Sequence, residues 1–250
     1  MYEIEKENEY YTNLLLISDT HLCHNLDKIS LVHKSYQYAY DHDIKYVLHL
    51  GDLIEGVMPH NKKELKIDNV EGQIEYVKEN YPNYSGIKTL ILFGNHDYYS
   101  LHKGGIDAAK EICDAREDLI NLGYGEAYTR ILDNYFRLTH DIDFMKNYKK
   151  NMDTSINIYG HVHNFKVGVY DENIHIHLPS LSYLKPNHKY NVPSIVDMKI
   201  RFYRDVIASI LLECIDIEKE TILSCFEIDS CLSNKKYLKI KEKFNEYNNL

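Results

Sequence analysis

Thr89-Leu-Ile-Leu-Phe-Gly-Asn-His-Asp97 is an apolar run that ends in an amide, an imidazole and a carboxylate. Packing alone gives no reason for three such side chains at the end of a strand. Three other segments have the same form. Leu14-Leu-Leu-Ile-Ser18 runs into Asp19-Thr-His21, and Tyr46-Val-Leu-His-Leu50 runs into Gly51-Asp52. Ile156-Asn-Ile-Tyr159 runs into Gly160-His161-Val-His163. In an open α/β sheet the C-terminal strand ends line one crevice, where ligands bind. Four apolar runs that each deliver Asp, Asn or His to that crevice read as a two-metal hydrolytic site.

The elements around these segments follow from periodicity. Ile29, Val32, Tyr36 and Tyr40 form one face of a helix over about 27–41, with Asn25 or Asp27 as its cap. Ile67, Val70, Ile74 and Val77 mark a second helix that stops near Tyr81-Pro82. Ile106, Ala109 and Ile112 suggest a third after Gly104-Gly105. Residues 55–66 read as a loop. This β-α-β-α-β-α start implies parallel strands with crossover helices. Short strands are expected at 127–132, 135–138, 156–159, 165–170 and 174–178, and the segment 206–217 fits strand or helix equally. Tyr237, Ile240, Phe244 and Tyr247 predict a C-terminal amphipathic helix over about 234–248. With a polar lead-in at 1–12 and no linker, the 250 residues are read as one domain.

Composition narrows the function. The charge of −9 argues against bulk coating of nucleic acid, although bound metals would change the local sign. Five scattered Cys with no C-x-x-C pair suit reduced thiols in a cytoplasmic protein. The acidic start Met1-Tyr-Glu-Ile-Glu has no apolar core of a signal peptide, and no run reaches membrane-span length, so no membrane role is expected.

The motif positions offer carboxylate, imidazole and amide with no Cys, a set that suits Mn, Fe or Zn as catalytic ions. A carboxylate can bind two ions at once, and Asp52, after a Gly, is the candidate bridge. In Asp19-x-His21 and His161-x-His163, residues i and i+2 of an extended segment point the same way and reach one cluster. His96 sits beside a ligand, and an imidazole is a side chain suited to proton transfer near neutral pH, so it is the candidate proton donor.

The series Asp19-x-His21, Gly51-Asp52, Gly94-Asn95-His96-Asp97, His140 and Gly160-His161-x-His163 resembles the calcineurin-like metallophosphoesterase family over residues 14–163. The resemblance implies an α/β, four-layer αββα sandwich with a dinuclear centre at the strand ends. It implies that Asp19, His21 and His163 hold one metal, that Asn95, His140 and His161 hold the other, and that Asp52 bridges. It makes His96 the acid, Asp97 its orienting partner and a metal-bridging hydroxide the nucleophile. Two divalent ions are implied, Mn²⁺ first, with Fe, Zn, Ni or Co as alternatives. His140 lacks the small residue and Gly that often flank this ligand, and Asp141, Asp143, His175 or His177 are alternatives to it. Glu55 reads as a supporting residue.

The expected function is metal-dependent hydrolysis of a phosphoester. A phosphodiester in a nucleotide, small diester or nucleic-acid end is favoured, because the family's diesterases share this compact plan. A phosphomonoesterase or protein phosphatase is the enzymatic alternative, and a non-enzymatic scaffold the other. A protein partner or homo-oligomer remains open. Other residues read more plainly: His33 as a surface residue, His49 as a core or supporting histidine, and His24, His60, His102 and His188 as loop residues. His175 and His177 read as one face of a hairpin. Arg116, Arg130 and Arg137 are candidate phosphate contacts, and Tyr98 and Tyr99 are candidates to stack on an aromatic group.

Overall fold

The computed structural model describes residues 1–140, 156–170, 173–183, 192–230 and 238–243. The chain runs β1 (Tyr2–Glu3), β2 (Tyr11–Ile17), α1 (Ile29–Asp41), β3 (Tyr46–Leu50), α2 (Val70–Asn80) and β4 (Lys88–Phe93). It continues through α3 (Asn95–Gly104), α4 (Ala108–Asp114), β5 (Leu119–Tyr124), β6 (Glu126–Ile131) and β7 (Asn134–Thr139). The remaining strands are β8 (Ile156–Tyr159), β9 (Lys166–Tyr170), β10 (Asn173–His177), β11 (Ser194–Tyr203), β12 (Val206–Asp216), β13 (Thr221–Ser230) and β14 (Leu238–Lys243).

These strands form two stacked sheets. One has eight strands in the order β14-β13-β12-β11-β2-β3-β4-β5, the other six in the order β1-β6-β7-β8-β10-β9. β2, β3, β4 and β5 are parallel, as the crossover pattern predicts, and β11 to β14 add an antiparallel meander. The apolar runs are continuous because both faces of the inner strands are buried. Leu15, Ile17, Val47, Ile91 and Phe93 face the helices, with Tyr36, Ile74, Val77 and Ile112. Leu14, Leu16, Leu48, Leu50, Leu90 and Leu92 face the six-stranded sheet, against Phe136, Leu138, Ile158 and Ile176.

The expected mixed α/β sandwich is therefore present. All α-helices among the described residues precede β5, and α1, α2 and α4 pack on the eight-stranded sheet. The second helical layer of an αββα arrangement is not found among the described residues.

Four local expectations change. The lead-in is not wholly irregular: β1 pairs with β6, and Ile4 joins the intersheet core. α3 escaped notice because Asn95-His-Asp-Tyr-Tyr-Ser carries no apolar stripe, and it takes in His102; its stop at Gly105, φ 70°, matches the break that was read. Asp27 does not cap α1. It accepts from the Cys23 amide and pairs with Lys66 instead. The C-terminal amphipathic helix is corrected for 238–243, which form β14 paired with β13. Leu238-Lys-Ile-Lys-Glu-Lys243 also alternates with period two, and pairing along β13 satisfies its backbone as a strand. The rest of 234–248 lies outside the described residues.

Leu48 is fully buried between the sheets. Leu48→Ala is expected to cost about 2–5 kcal/mol, read as a lower urea midpoint with an unchanged m-value.

Candidate dinuclear metal centre

The parallel strands β2, β3 and β4 end side by side, and their ladder continues into the site loops. Asp19 N donates to Gly51 O at 3.0 Å and His21 N to Asp52 O at 2.9 Å. Here the chain turns sharply. Asp19, His21, Asp52, His161 and His163 have φ of 55°, 45°, 51°, 73° and 54°. The i and i+2 residues are thus presented by left-handed turns and not by extended backbone, which corrects the basis on which they were paired. Such a conformation costs a non-glycine residue about 1–2 kcal/mol. It persists because surrounding contacts hold it: Ser180 Oγ donates to Asp19 O at 2.9 Å, and Leu181 N to Ser18 O at 3.0 Å.

Asp52 occupies the middle of the site. Its Oδ1 accepts from the His96 amide at 3.0 Å, at the N-terminus of α3, where the helix dipole favours a carboxylate. Its Oδ2 lies 3.0 Å from His140 Nε2 and 3.7 Å from His21 Nε2. Asp19 has one oxygen near Ser18 Oγ (2.5 Å) and the His161 amide (3.1 Å). Its other oxygen, Oδ1, lies 3.0 Å from His163 Nε2, 3.8 Å from His21 Nε2 and 3.9 Å from His140 Nε2, yet makes no hydrogen bond. His161 Nδ1 is 2.9 Å from Asn95 Oδ1.

Three groups of potential ligand atoms result, each within 4.8 Å. Asp19, His21 and His163 form the first, Asp52, His140 and His161 the second, and His21, Asp52 and His96 a third that overlaps both. Asn95 joins the second through His161. The fit to cations rests on chemistry as well as grouping. Asp19 Oδ1 and His140 Nε2 are buried without hydrogen-bond partners, and both face other lone-pair donors. Orphaned buried groups of this kind are costly unless something such as a cation satisfies them. All seven sequence-predicted ligands are thus brought together. Of the alternatives to His140, His175 and His177 lie on β10, where both rings stack on Tyr159, and Asp141 and Asp143 lie outside the described residues.

Supporting groups fix the rings. His140 Nδ1 is 2.5 Å from Leu50 O and must donate to it, which leaves Nε2 for the centre. Glu55 Oε2 accepts from His21 Nδ1 at 2.8 Å. His96 Nδ1 donates to Glu55 O at 2.8 Å. The orienting contact expected from Asp97 is therefore made by Glu55. Asp97 accepts from the amides of Gly94 (2.8 Å), Ile54 (3.0 Å) and Leu53 (3.2 Å), so it clamps the loop after Asp52 onto the start of α3.

Gly51 shows how tight this packing is. At φ 88°, a Cβ there would lie 2.1 Å from His140 Nδ1. Ser18, Asn61 and Ser180 were missed, because an isolated polar residue in a loop carries no periodic signal.

The remaining candidates sit apart from this arrangement. His49 bonds Thr20 Oγ1 within the core, and burial pushes its ring down to about 3, so it is neutral. Arg116 binds Asp118 and the carbonyls of Tyr81 and Pro82, Arg130 binds Glu3, and Arg137 forms a two-bond pair with Glu126. Tyr98 packs against His102 and Tyr124.

The electrostatics couple the site to pH. Burial opposes charge on His21, but Asp19, Glu55 and Asp52 outweigh it and raise the ring to about 10. Burial likewise opposes charge on His140, and Asp52 and Asp19 raise it to about 9. Burial, reinforced by Asp52, lifts Asp97 to about 7.

Two outcomes are expected. Raised histidine values stabilise the fold fully below their ordinary 6.5, and that stability is lost as pH rises through about 9 and 10. Asp97 adds a loss in the same direction between 3.8 and about 7. Thermal unfolding of metal-free protein should therefore show a Tm that falls steadily from pH 6.5 to 10. Gly51→Ala must displace the His140 ring and is expected to weaken Mn²⁺ binding by at least about tenfold, measured by calorimetric titration.

Comparisons with known proteins give the family and support the fold. The family described as calcineurin-like phosphoesterase superfamily domain matches residues 13–192. No curated protein matches the sequence. Among solved structures, the chain resembles the phosphoesterase Yfce from E. coli (18% identity, TM-score 0.52, covering 86% of this chain and 98% of that one). It also resembles the purple acid phosphatase PPD1 from yellow lupin (14% identity, TM-score 0.55, 90% of this chain and 55% of that one). A further likeness is to Vacuolar Protein Sorting 29 from Cryptosporidium parvum (13% identity, TM-score 0.49, 94% and 100%). At these identities the first two structures speak to fold alone. The family match spans most of the chain and contains every residue of the centre, and the chain belongs to the calcineurin-like phosphoesterase superfamily, metal-dependent hydrolases acting on phosphoric esters.

Proposed function

We propose that the chain hydrolyses phosphodiesters, with a nucleotide, a small diester or a nucleic-acid end as substrate, at a centre of two divalent cations. The observation that carries this reading is the position of Asp52, whose Oδ2 lies between His21 and His140, one ring from each ligand group. Asp19, His21 and His163 would hold one cation, Asn95, His140 and His161 the other, with Asp52 shared. When bound, the cations would supply charge stabilisation for the phosphoryl oxygens and lower the pKa of water into the neutral range.

The chain's own residues supply the rest. His96 has Nδ1–H committed to the Glu55 carbonyl, and its ring is within 4.8 Å of ligand atoms of His21 and Asp52. A proton on Nε2 then makes the ring cationic, and that is the form that can donate to a leaving oxygen. Glu55 Oε2 also lies 3.5 Å from His96 Nδ1. The diester preference is supported by the arginines. A monoester is dianionic near neutrality and a diester monoanionic, while Arg116, Arg130 and Arg137 are all engaged by structural carboxylates. Mn²⁺ is the first cation to test, since nitrogen and oxygen ligands of this type accept several ions.

Protein reconstituted with Mn²⁺ is expected to hydrolyse bis-p-nitrophenyl phosphate faster than p-nitrophenyl phosphate, and EDTA should abolish the reaction. Asp52→Asn should bring turnover to background. His96→Ala should lower kcat by about 10²–10⁴-fold for diesters with poor leaving groups. Turnover of the monoester alone would replace this reading with a phosphomonoesterase. No turnover of either ester with Mn²⁺ bound would favour a scaffold.

A further inference from the structure

The loop after Asp52 contains a buried asparagine, Asn61, that no sequence motif singles out. It is 1% exposed. Its Oδ1 accepts from the Met58 amide at 2.8 Å, which fixes the orientation of its side-chain amide. Nδ2 therefore faces Glu55 and donates to Oε1 at 2.9 Å, with a weaker contact to Gly56 O at 3.3 Å. Glu55 then presents Oε2 to His21 Nδ1 and its backbone carbonyl to His96 Nδ1. A single residue thus orients one ring of the metal centre and the ring of the proton donor. Asn61 is its side-chain hydrogen-bond donor on the other oxygen.

We propose that Asn61 is a positioning residue that acts through the Glu55 carboxylate to hold the His21 ring, and so selectively strengthens the cation site containing His21. A buried carboxylate with two donors has one orientation. With the Asn61 donor removed, it can turn about its terminal torsion, and the imidazole that depends on it loses its fixed tautomer and direction. The second cation group does not depend on this relay, because His140 is oriented by Leu50 O and His161 lies against Asn95. The inference rests on the assignment of His21 as a ligand in the proposed function, but it can be read without turnover.

The loop offers an internal control. Gln73 holds the same segment by accepting from the Gly56 amide at 2.9 Å and donating to Ile67 O at 2.8 Å. No hydrogen bond joins it to the Glu55 carboxylate. Loss of Gln73 loosens the loop without cutting the relay.

The test is calorimetric titration of metal-stripped full-length protein with Mn²⁺. Asn61→Ala should weaken one of two binding events by about tenfold or more and leave the other within about twofold. Glu55→Gln should do the same, and the double variant should be no weaker than the worse single variant. Gln73→Ala should spare both events. Should Asn61→Ala not fold, Asn61→Asp keeps size and the acceptor for Met58 and sets carboxylate against carboxylate, so it should show the same selective loss. Equal weakening of both events, no weakening, multiplied losses in the double variant, or the same selective loss in Gln73→Ala would each overturn the relay. Mn²⁺ binding with the selective loss but no ester hydrolysis would overturn the proposed function and leave the relay standing. Absence of Mn²⁺ binding by the wild type would overturn both.

Discussion

The Asp52 carboxylate is the contact on which the site depends. It is almost fully buried, and burial alone would push its pKa up; the nearby His140, His96 and His21 outweigh this and keep it ionised. The same carboxylate accepts the His96 amide at the start of α3, so it fixes where that helix begins. The start of α3 and the placing of His96 beside the Asp and His cluster are therefore set by one group. A buried charge of this kind is stable only when its partners stay in place. That explains why the loop after Asp52 is clamped by Asp97, and why Gly51 and Gly94 leave no room for a Cβ against His140 and Asp52 itself.

The scaffold pays for this concentration of polar groups in backbone conformation. Left-handed φ values recur at the site residues that leave β2, β3 and β8. Two large apolar layers, one between the sheets and one under the helices, keep those strands from shifting. Strain of this type survives where the surroundings over-determine it, and it tends to mark functional sites. The concentration of positive φ at ligand positions, with few elsewhere in the inner strands, agrees with that rule.

Much of this was legible in the sequence. The inner strands announced themselves as continuous apolar runs because both of their faces are buried, and the ligands followed each run directly. The cluster of candidate ligands was readable because Asp, Asn and His at strand ends have no packing role. What the sequence concealed was of other kinds. α3 has a polar stripe where it meets the candidate metal centre, so it shows no helical period. Residues 238–243 satisfy both a helical and an alternating pattern, and pairing along β13 decides between them. Ser180 reaches Asp19 across a long stretch of chain, and Asn61 bonds Met58 and Glu55 within its own loop; neither leaves a periodic trace. The role expected of Asp97 fell to Glu55 for a geometric reason: the Asp97 oxygens are taken by three amides, while the carbonyl of Glu55 meets the His96 ring.

The central claim is that one carboxylate is shared by two cations. Low-temperature electron paramagnetic resonance of protein loaded with two equivalents of Mn²⁺ tests it most directly. A shared Asp52 predicts a multiline signal from two exchange-coupled ions, lost in Asp52→Asn. Isolated six-line Mn²⁺ signals in the wild type at that loading would contradict it.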